Sequence, residues 1–225
     1  MGKNKLERFA ETATFRNVVQ LPYYHFSEDY HLKNKWSSDF FGNDHPLFLE
    51  LGCGKGEYTV GLSRLNPQHN YIGLDIKGAR IWRGAKTALE NNICNAAFLR
   101  IHINQINRFF GKNEVSGLWI TFPDPQPQKA KEGKRLTSPE FLERYRLFLK
   151  KDAVINLKTD NTGLFEYTLD IIGQKKHMLL NHTFDLYNSD LNNEAGMIQT
   201  FYESVFLAEG KKICYLQFIL NHLEK

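Results

Sequence analysis

At 225 residues, the chain is long enough for one α/β domain with a sizeable buried core. Its 42% hydrophobic and 24% charged residues are ordinary for a globular protein, which excludes a wholly disordered chain. The formal net charge of +4 permits a nucleic-acid partner without requiring one.

The three cysteines are far apart and odd in number, which argues against a disulfide framework and against a zinc site. The N-terminal segment is charged and lacks the apolar core of a signal peptide, and no stretch approaches the roughly 18 apolar residues of a membrane-spanning helix. We therefore expect a cytoplasmic protein with reduced cysteines, no bound metal and no membrane contact. The sequence leaves open whether the protein is a monomer or a homodimer.

Residues 1–45 are polar and aromatic and show no long hydrophobic period. We interpret them as an N-terminal arm with one or two short helices, whose tip is made basic by Lys3, Lys5 and Arg8. A frayed, solvated terminus is the alternative. Residues 46–225 are then expected to form a single domain.

From residue 46 onward, apolar runs alternate with helical patterns. The runs predict strands over 47–51, 71–74, 96–103, 115–122 and 153–157, and the patterns between them predict helices over 57–65, 79–91, 139–150 and 163–172. Two last apolar stretches, 182–187 and 213–220, show no convincing helix between them and are expected to pair antiparallel. This order predicts an α/β fold with a seven-stranded, mostly parallel sheet, an antiparallel C-terminal strand and helices on both faces.

A glycine-rich turn follows the first strand, with Gly52, Gly54 and Gly56 ahead of a helix. Glycines there allow the backbone to approach a ligand closely, as in nucleotide-binding folds. The dinucleotide fingerprint, however, wants Gly or Ala at the position of Glu57, where a carboxylate would repel a pyrophosphate.

Two further carboxylates favour S-adenosylmethionine over NAD as the ligand of this turn. Glu50 stands just before the turn and suits a ligand that carries an ammonium and a sulfonium but no phosphate. Asp75 ends the second strand, where it can accept hydrogen bonds from both ribose hydroxyls. A helix-capping or turn aspartate is the alternative for Asp75.

The fourth strand ends in a proline-rich loop that contains Asp124. Ligands of an open parallel sheet lie beyond the carboxyl ends of its strands, so Asp124 is expected to face the same crevice as Glu50 and Asp75. A basic run follows, and it is expected to contact the phosphates of a polyanionic substrate unless it is merely solvated. Its cations are Lys129, Lys131, Lys134 and Arg135.

These segments, in this order, resemble the bacterial tRNA (guanine-N7)-methyltransferases. The resemblance runs from about residue 47 to residue 218, and it rests on LELGCGKGE, YIGLDIKG, the PDP-x-P loop with KRLTSPEFL, LKTDNTGLFEYTL, YNSDL and TFYE. It implies a Rossmann-like methyltransferase sheet and transfer of a methyl group from S-adenosylmethionine to N7 of a guanine in tRNA, expected in the variable loop. The alternatives are a methyltransferase acting on a small molecule and an RNA-binding protein with a degenerate cofactor site.

The resemblance also implies roles for individual residues. The expected cofactor-binding residues are Glu50, Gly52, Gly54, Gly56, Asp75, His102 and Asp124. The expected substrate-binding residues are Gln128, Lys129, Lys131, Lys134, Arg135, Asp160, Thr200, Phe201, Tyr202 and Glu203. The sequence departs from the family pattern at His102, where an acidic residue is usual, and at Gln126 and Gln128, where the family loop usually has Trp and Lys.

Guanine N7 has an unshared pair and no proton, so the reaction needs orientation rather than a general base. Asp124 is the expected catalytic residue, because a carboxylate there would stabilise the cationic product base. Glu203 is expected to accept N1–H and the exocyclic amino group of guanine, with Thr200 assisting and Asp160 as the alternative carboxylate. The simpler interpretation of Glu203 is a surface residue paired with a nearby lysine.

Overall fold

The structure is a computed structural model that describes residues 3–20, 28–192 and 194–221. Within these ranges eight strands form one sheet in the order β1-β4-β3-β2-β5-β6-β8-β7. The strands are β1 (Val18–Gln20), β2 (Leu47–Leu51), β3 (Asn70–Asp75), β4 (Ala96–Arg100), β5 (Val115–Thr121), β6 (Leu149–Thr159), β7 (Met178–Thr183) and β8 (Cys214–Ile219).

The pairing of the strands confirms a mostly parallel sheet with antiparallel C-terminal strands. Strands β1 to β6 pair in parallel, whereas β8 runs antiparallel to both β6 and β7. The expected count of seven was wrong, because β1 adds an eighth strand by pairing Val18–Gln20 with residues 98–100 of β4. Three residues are too few to show a period of two in the sequence. The division of the chain at residue 45 stays a prediction.

Helices cover both faces of the sheet. They are α1 (Lys3–Thr12), α2 (Glu57–Leu65), α3 (Gly78–Glu90), α4 (Pro139–Tyr145), α5 (Thr162–Gln174), α6 (Glu194–Met197) and α7 (Phe201–Ala208). The alternation of side chains along β5 separates the two faces. Leu118 packs in the cluster that contains Phe141 of α4 and Phe165 of α5, whereas Trp119 packs against Tyr58 of α2, with ring centroids 5.1 Å apart.

The N-terminal helix α1 packs on α3 through a small polar cluster. Glu11 accepts hydrogen bonds from the indole Nε1–H of Trp82 at 2.6 Å and from the ammonium of Lys86 at 2.7 Å. The guanidinium of Arg8 lies 4.6 Å from the centroid of the Trp82 ring. The side chains of Lys3 and Lys5 lie outside the described residues.

The segment between β7 and β8 contains α6 and α7, so the expectation that no helix lies there was wrong. Helix α7 begins with a capping box, in which the Thr200 hydroxyl accepts the Glu203 N–H and the Glu203 carboxylate accepts the Thr200 N–H. The sequence T-x-x-E is itself a helix-start signal. A cap or turn was the alternative to ligand contacts for residues 200–203, and the structure confirms the cap.

None of the helices within the described ranges is both long and apolar enough to cross a membrane. In the same part of the chain, no three histidine, cysteine, aspartate or glutamate side chains lie together as they would around a metal ion.

Candidate active site

The glycine turn closes tightly between β2 and α2. Gly52, Gly54 and Gly56 all have positive φ, between 56° and 75°, where residues with a Cβ are disfavoured. At Gly56 a Cβ would also lie 2.4 Å from the Phe98 ring. The turn therefore depends on glycine both for its conformation and for its contact with β4.

Glu50 lies buried beneath the turn and joins three elements. Its carboxylate accepts the Thr59 N–H of α2 at 2.8 Å, the Thr59 hydroxyl, and the Thr121 hydroxyl of β5 at 2.7 Å. Burial raises the pKa of Glu50 to about 7, against the opposing effect of these hydrogen bonds. Glu50 therefore supports the turn from below.

Asp75 lies at the end of β3 and connects the turn to the next helix. Its two oxygens accept the Gly54 N–H at 3.0 Å and the Lys77 N–H at 2.7 Å. The residue lines a crevice of about 480 Å³ at the carboxyl ends of the strands. Gly52 and His102 line the same crevice, so the structure brings together three of the expected cofactor-binding residues.

Apolar side chains form much of the remaining wall of this crevice, and they are Ile76, Ile101, Ile103, Leu136 and Phe141. His102 is exposed, and its Nδ1 accepts the N–H of Asn104 at 3.2 Å. The crevice thus combines a carboxylate with an apolar wall, as ligand pockets commonly do.

Asp124 is exposed on a loop whose backbone is held in an unusual shape. Phe122 and Gln126, which flank it, have φ of 47° and 43°, a region that non-glycine residues seldom adopt. The Asp124 carboxylate accepts the Gln126 N–H at 3.1 Å. Its exposure leaves the rest of the carboxylate available to a ligand.

Arg135 holds this loop in place. Its guanidinium donates to the carbonyl oxygens of Pro125 and Gln126 at 3.2–3.3 Å and lies 4.2 Å from the centroid of the Tyr167 ring. Part of the hydrogen-bonding capacity of Arg135 therefore serves the loop, and the expectation that it binds a substrate phosphate stays a prediction. Replacing Arg135 is therefore expected first to release the loop that carries Asp124.

The other cations of the basic run are exposed on a short 3₁₀ helix rather than on an irregular loop. This lysine helix spans Lys129–Lys134 and presents Lys129, Lys131 and Lys134 to solvent. Gln128 precedes it and is also exposed. Lys134 reaches the wall of the crevice, which places the positive charge beside the expected cofactor site.

Lys158 and Glu203 form an ion pair inside the protein. The Lys158 ammonium lies 2.7 Å from the Glu203 carboxylate, and neither side chain has any exposed surface. The same carboxylate accepts the Tyr187 hydroxyl at 2.8 Å. Burial lowers the pKa of Lys158, although the carboxylate opposes this shift.

The ion pair connects the segment between β7 and β8, which contains Glu203, to β6, which contains Lys158. Lys158 also donates to the carbonyl oxygens of Ala195 at 2.5 Å and Ile198 at 3.1 Å. Both oxygens of Glu203 are engaged inside the protein, so this structure does not present them to a base. The simpler interpretation of Glu203 was right about the lysine partner and wrong about the surface position.

Asp160 is the more accessible carboxylate at the end of β6. Its side chain is 22% exposed and lies 3.7 Å from the ammonium of Lys211, a long and solvent-screened contact. Among the other residues of this region, Thr200 is buried, whereas Phe201 and Tyr202 are 55% and 51% exposed at the start of α7. The structure thus separates Glu203 from the accessible members of the expected substrate site.

Residues 44–216 match a family model described as a putative methyltransferase. A tRNA (guanine-N(7)-)-methyltransferase of Christiangramia forsetii is 50% identical over 219 residues, covering 96% of this chain and 98% of the relative. The chain belongs to the tRNA (guanine-N7)-methyltransferase family. A relative of the same name from Bacteroides thetaiotaomicron is also 50% identical, over 98% of this chain and 87% of its own length.

Solved structures confirm the Rossmann-like methyltransferase fold of this family member. The 16S rRNA methyltransferase KamB matches with a TM-score of 0.60 and 15% identity, over 79% of this chain and 88% of its own. A 16S rRNA (adenine(1408)-N(1))-methyltransferase mutant from Catenulisporales acidiphilia, solved with its cosubstrate SAM, matches with a TM-score of 0.58 and 10% identity, over 86% and 94%. At these identities the likeness concerns the fold alone.

The ion pair leads to a prediction about the stability of this methyltransferase. Lys158→Met leaves the Glu203 carboxylate buried without its cation, so we expect the free energy of unfolding to fall by about 3–5 kcal/mol. Urea unfolding measures this free energy for the variant and for wild type. The control is Lys212→Met, because Lys212 is 71% exposed in its pair with Asp185 and should contribute less than about 1 kcal/mol to stability. A change below about 1 kcal/mol in Lys158→Met would contradict the structural importance of the pair.

Glu50 leads to a prediction about pH. Between pH 4.5 and about 7 the folded protein holds a proton that the unfolded chain has released, so the Glu50 contribution to stability falls as pH rises through this window. We expect the fall to be on the order of 3 kcal/mol, and to be absent in Glu50→Gln. Urea unfolding from pH 5 to 8 compares the two proteins, with the exposed Glu90→Gln as control. Parallel pH curves for wild type and Glu50→Gln would refute it.

Proposed function

We propose that the protein transfers a methyl group from S-adenosylmethionine to N7 of a guanine in tRNA, forming 7-methylguanosine in the variable loop. The proposal rests on the crevice lined by Gly52 and Asp75. It is supported by the 50% identity of the chain, over nearly its whole length, to a tRNA (guanine-N(7)-)-methyltransferase. We further propose that it works in the cytoplasm, where the tRNA substrate is found.

The residues of the crevice fit the proposed cofactor. Asp75 uses one lone pair of each oxygen for the backbone, which leaves further acceptor capacity for two ribose hydroxyls. The apolar wall suits the adenine ring. When bound, S-adenosylmethionine supplies an electrophilic methyl group on a cationic sulfur.

The protein contributes orientation and charge to the reaction. The guanine N7 lone pair attacks without losing a proton, so no residue needs to act as a general base. Asp124 is exposed on a loop that Arg135 restrains, and its carboxylate is proposed to stabilise the positive charge that develops on the base. Presenting N7 requires the base to leave its tertiary contacts, at a cost of a few kcal/mol.

Asp160 is proposed as the carboxylate that reads the Watson–Crick edge of guanine. A carboxylate there accepts N1–H and the exocyclic amino group together, and it would repel the N1 lone pair of adenine. Glu203 is bound to Lys158 and Tyr187, so its proposed role is to position the start of α7. The exposed lysines of the lysine helix are proposed to bind tRNA phosphates.

Mass spectrometry of nucleosides tests the proposed activity directly. We expect 7-methylguanosine after wild-type protein is incubated with S-adenosylmethionine and a tRNA that lacks this modification. Asp75→Ala should weaken cofactor binding by about 1–3 kcal/mol, because ribose hydroxyls lose their acceptor, whereas the exposed Asp152→Ala should not.

Two outcomes would contradict the proposal. Cofactor binding without any methylated tRNA would favour a methyltransferase acting on a small molecule. Binding of tRNA without binding of S-adenosylmethionine would favour an RNA-binding protein with a degenerate cofactor site.

The base-reading role leads to a prediction for Asp160. Asp160→Asn keeps the shape of the side chain but replaces one acceptor by a donor, so we expect turnover on tRNA to fall about a hundredfold, equivalent to about 3 kcal/mol. Affinity for S-adenosylmethionine should not change. The matched control is Asp170→Asn on the exposed side of α5, which should methylate normally. Normal turnover in Asp160→Asn would remove Asp160 from this role.

A further inference from the structure

A second groove lies on the face of the sheet that carries α2 and α3. It runs between α2 and α3, has a volume of about 540 Å³, and is closed at one side by residues 197–199. Gly61 of α2 and Gly84 of α3 form part of its lining, and the lack of side chains at these positions lets α2 pack closely on Ile198 and α3 on the glycine turn. We call it the α2–α3 groove.

The charge of the α2–α3 groove is positive. Lys55, Arg64 and Arg83 line it together with one acidic residue, Glu57. The Glu57 carboxylate accepts the backbone N–H of Phe201 at 3.2 Å. Within the described ranges none of the three cations has an acidic side chain within ion-pair distance, so their charge is not neutralised by the protein.

The groove connects with the candidate active site through the glycine turn. Lys55 belongs to that turn, and its ammonium lies 4.5 Å from the centroid of the Phe201 ring and 5.9 Å from that of Tyr202. Both rings are about half exposed, and Met197 beside them is 70% exposed. Aromatic faces of this kind stack on unpaired bases, and adjacent cations hold the phosphates of the same strand.

We propose that the α2–α3 groove is a second RNA-binding surface, which holds the tRNA strand that continues from the methylated nucleotide. Arg64 and Arg83 contact its phosphates, and Phe201 stacks on a base at the mouth of the groove. The nine residues of α2 span about 13 Å along the groove. This inference rests on the proposed tRNA substrate.

The two basic surfaces then lie on either side of the reacting base. The lysine helix lies beside the crevice, near α4, and the α2–α3 groove lies on the face that carries α2 and α3. A bound tRNA therefore straddles the carboxyl edge of the sheet. Leu65 and Met197 are the exposed large apolar side chains among the residues that line the groove. The positive charge of Lys55, Arg64 and Arg83 favours a polyanionic strand over a protein partner.

Salt dependence of tRNA binding tests this inference. The double variant Arg64→Ala, Arg83→Ala removes two exposed cations, so the slope of log affinity against log salt should become shallower by about 2. The matched control is Lys151→Ala, Lys175→Ala, which removes two exposed lysines, one near the start of β6 and one at the end of α5, and should leave the slope unchanged. A triple alanine variant of Lys129, Lys131 and Lys134 should lower the slope independently, and the two effects should add.

The outcomes distinguish this inference from the proposed function. If wild-type protein binds and methylates tRNA but the double variant keeps the full slope, the groove does not hold RNA and the inference is overturned. A change of oligomeric state in the double variant, seen by light scattering with the slope unchanged, would likewise overturn it and make the groove an interface between copies. If wild-type protein neither binds nor methylates tRNA, the proposed function itself fails. Measuring the affinity of the double alanine variant for S-adenosylmethionine verifies that it is folded, and this affinity should equal that of wild type. The double variant Arg64→Gln, Arg83→Gln removes the same two charges and provides a second test of the slope.

Discussion

The buried carboxylate of Glu50 is the interaction on which the candidate site depends. Through Thr59 and Thr121 it fixes the start of α2 and the end of β5 relative to β2. The glycine turn lies directly above it, and the loop that carries Asp124 leaves the sheet immediately after Thr121. A single acidic side chain thereby sets the distance between the two loops that face the crevice, in a place where burial disfavours its charged form.

A second buried charge has the corresponding role on the other half of the site. Lys158 anchors the inserted helices α6 and α7 by bonding to their backbone carbonyls and to Glu203. Because this pair is satisfied on all sides, α7 is held with Phe201 and Tyr202 turned outward. The two networks together place aromatic, acidic and basic groups around one edge of the sheet.

The sequence predicted those parts of the fold and site whose signals are local. Strands such as Leu47–Leu51 are continuous apolar runs, and Gly52 to Gly56 with Asp75 form a pattern that can be recognised in one dimension. Strand β1 was missed because its three residues gain their structure only from β4. The burial of Glu203 was missed because Lys158 is 45 residues away (203 − 158), and the restraint by Arg135 because nothing in a basic run shows which cation turns inward.

The pairing of β1 with β4 constrains the order in which the newly made chain can acquire its structure. Val18 is synthesised 80 residues before its partner Phe98 (98 − 18), so at about 5–20 residues per second the edge strand waits about 4–16 s for its template. During that interval the amino-terminal segment can only be extended or helical on its own, and the central strand β2, which pairs with the later β3 and β5, waits as well. Strands β2, β3 and β4 can pair one after another as they emerge, because β2 pairs with β3 and β3 pairs with β4. The first-made strand is therefore not the first to dock, and it joins the sheet only after β4 has emerged.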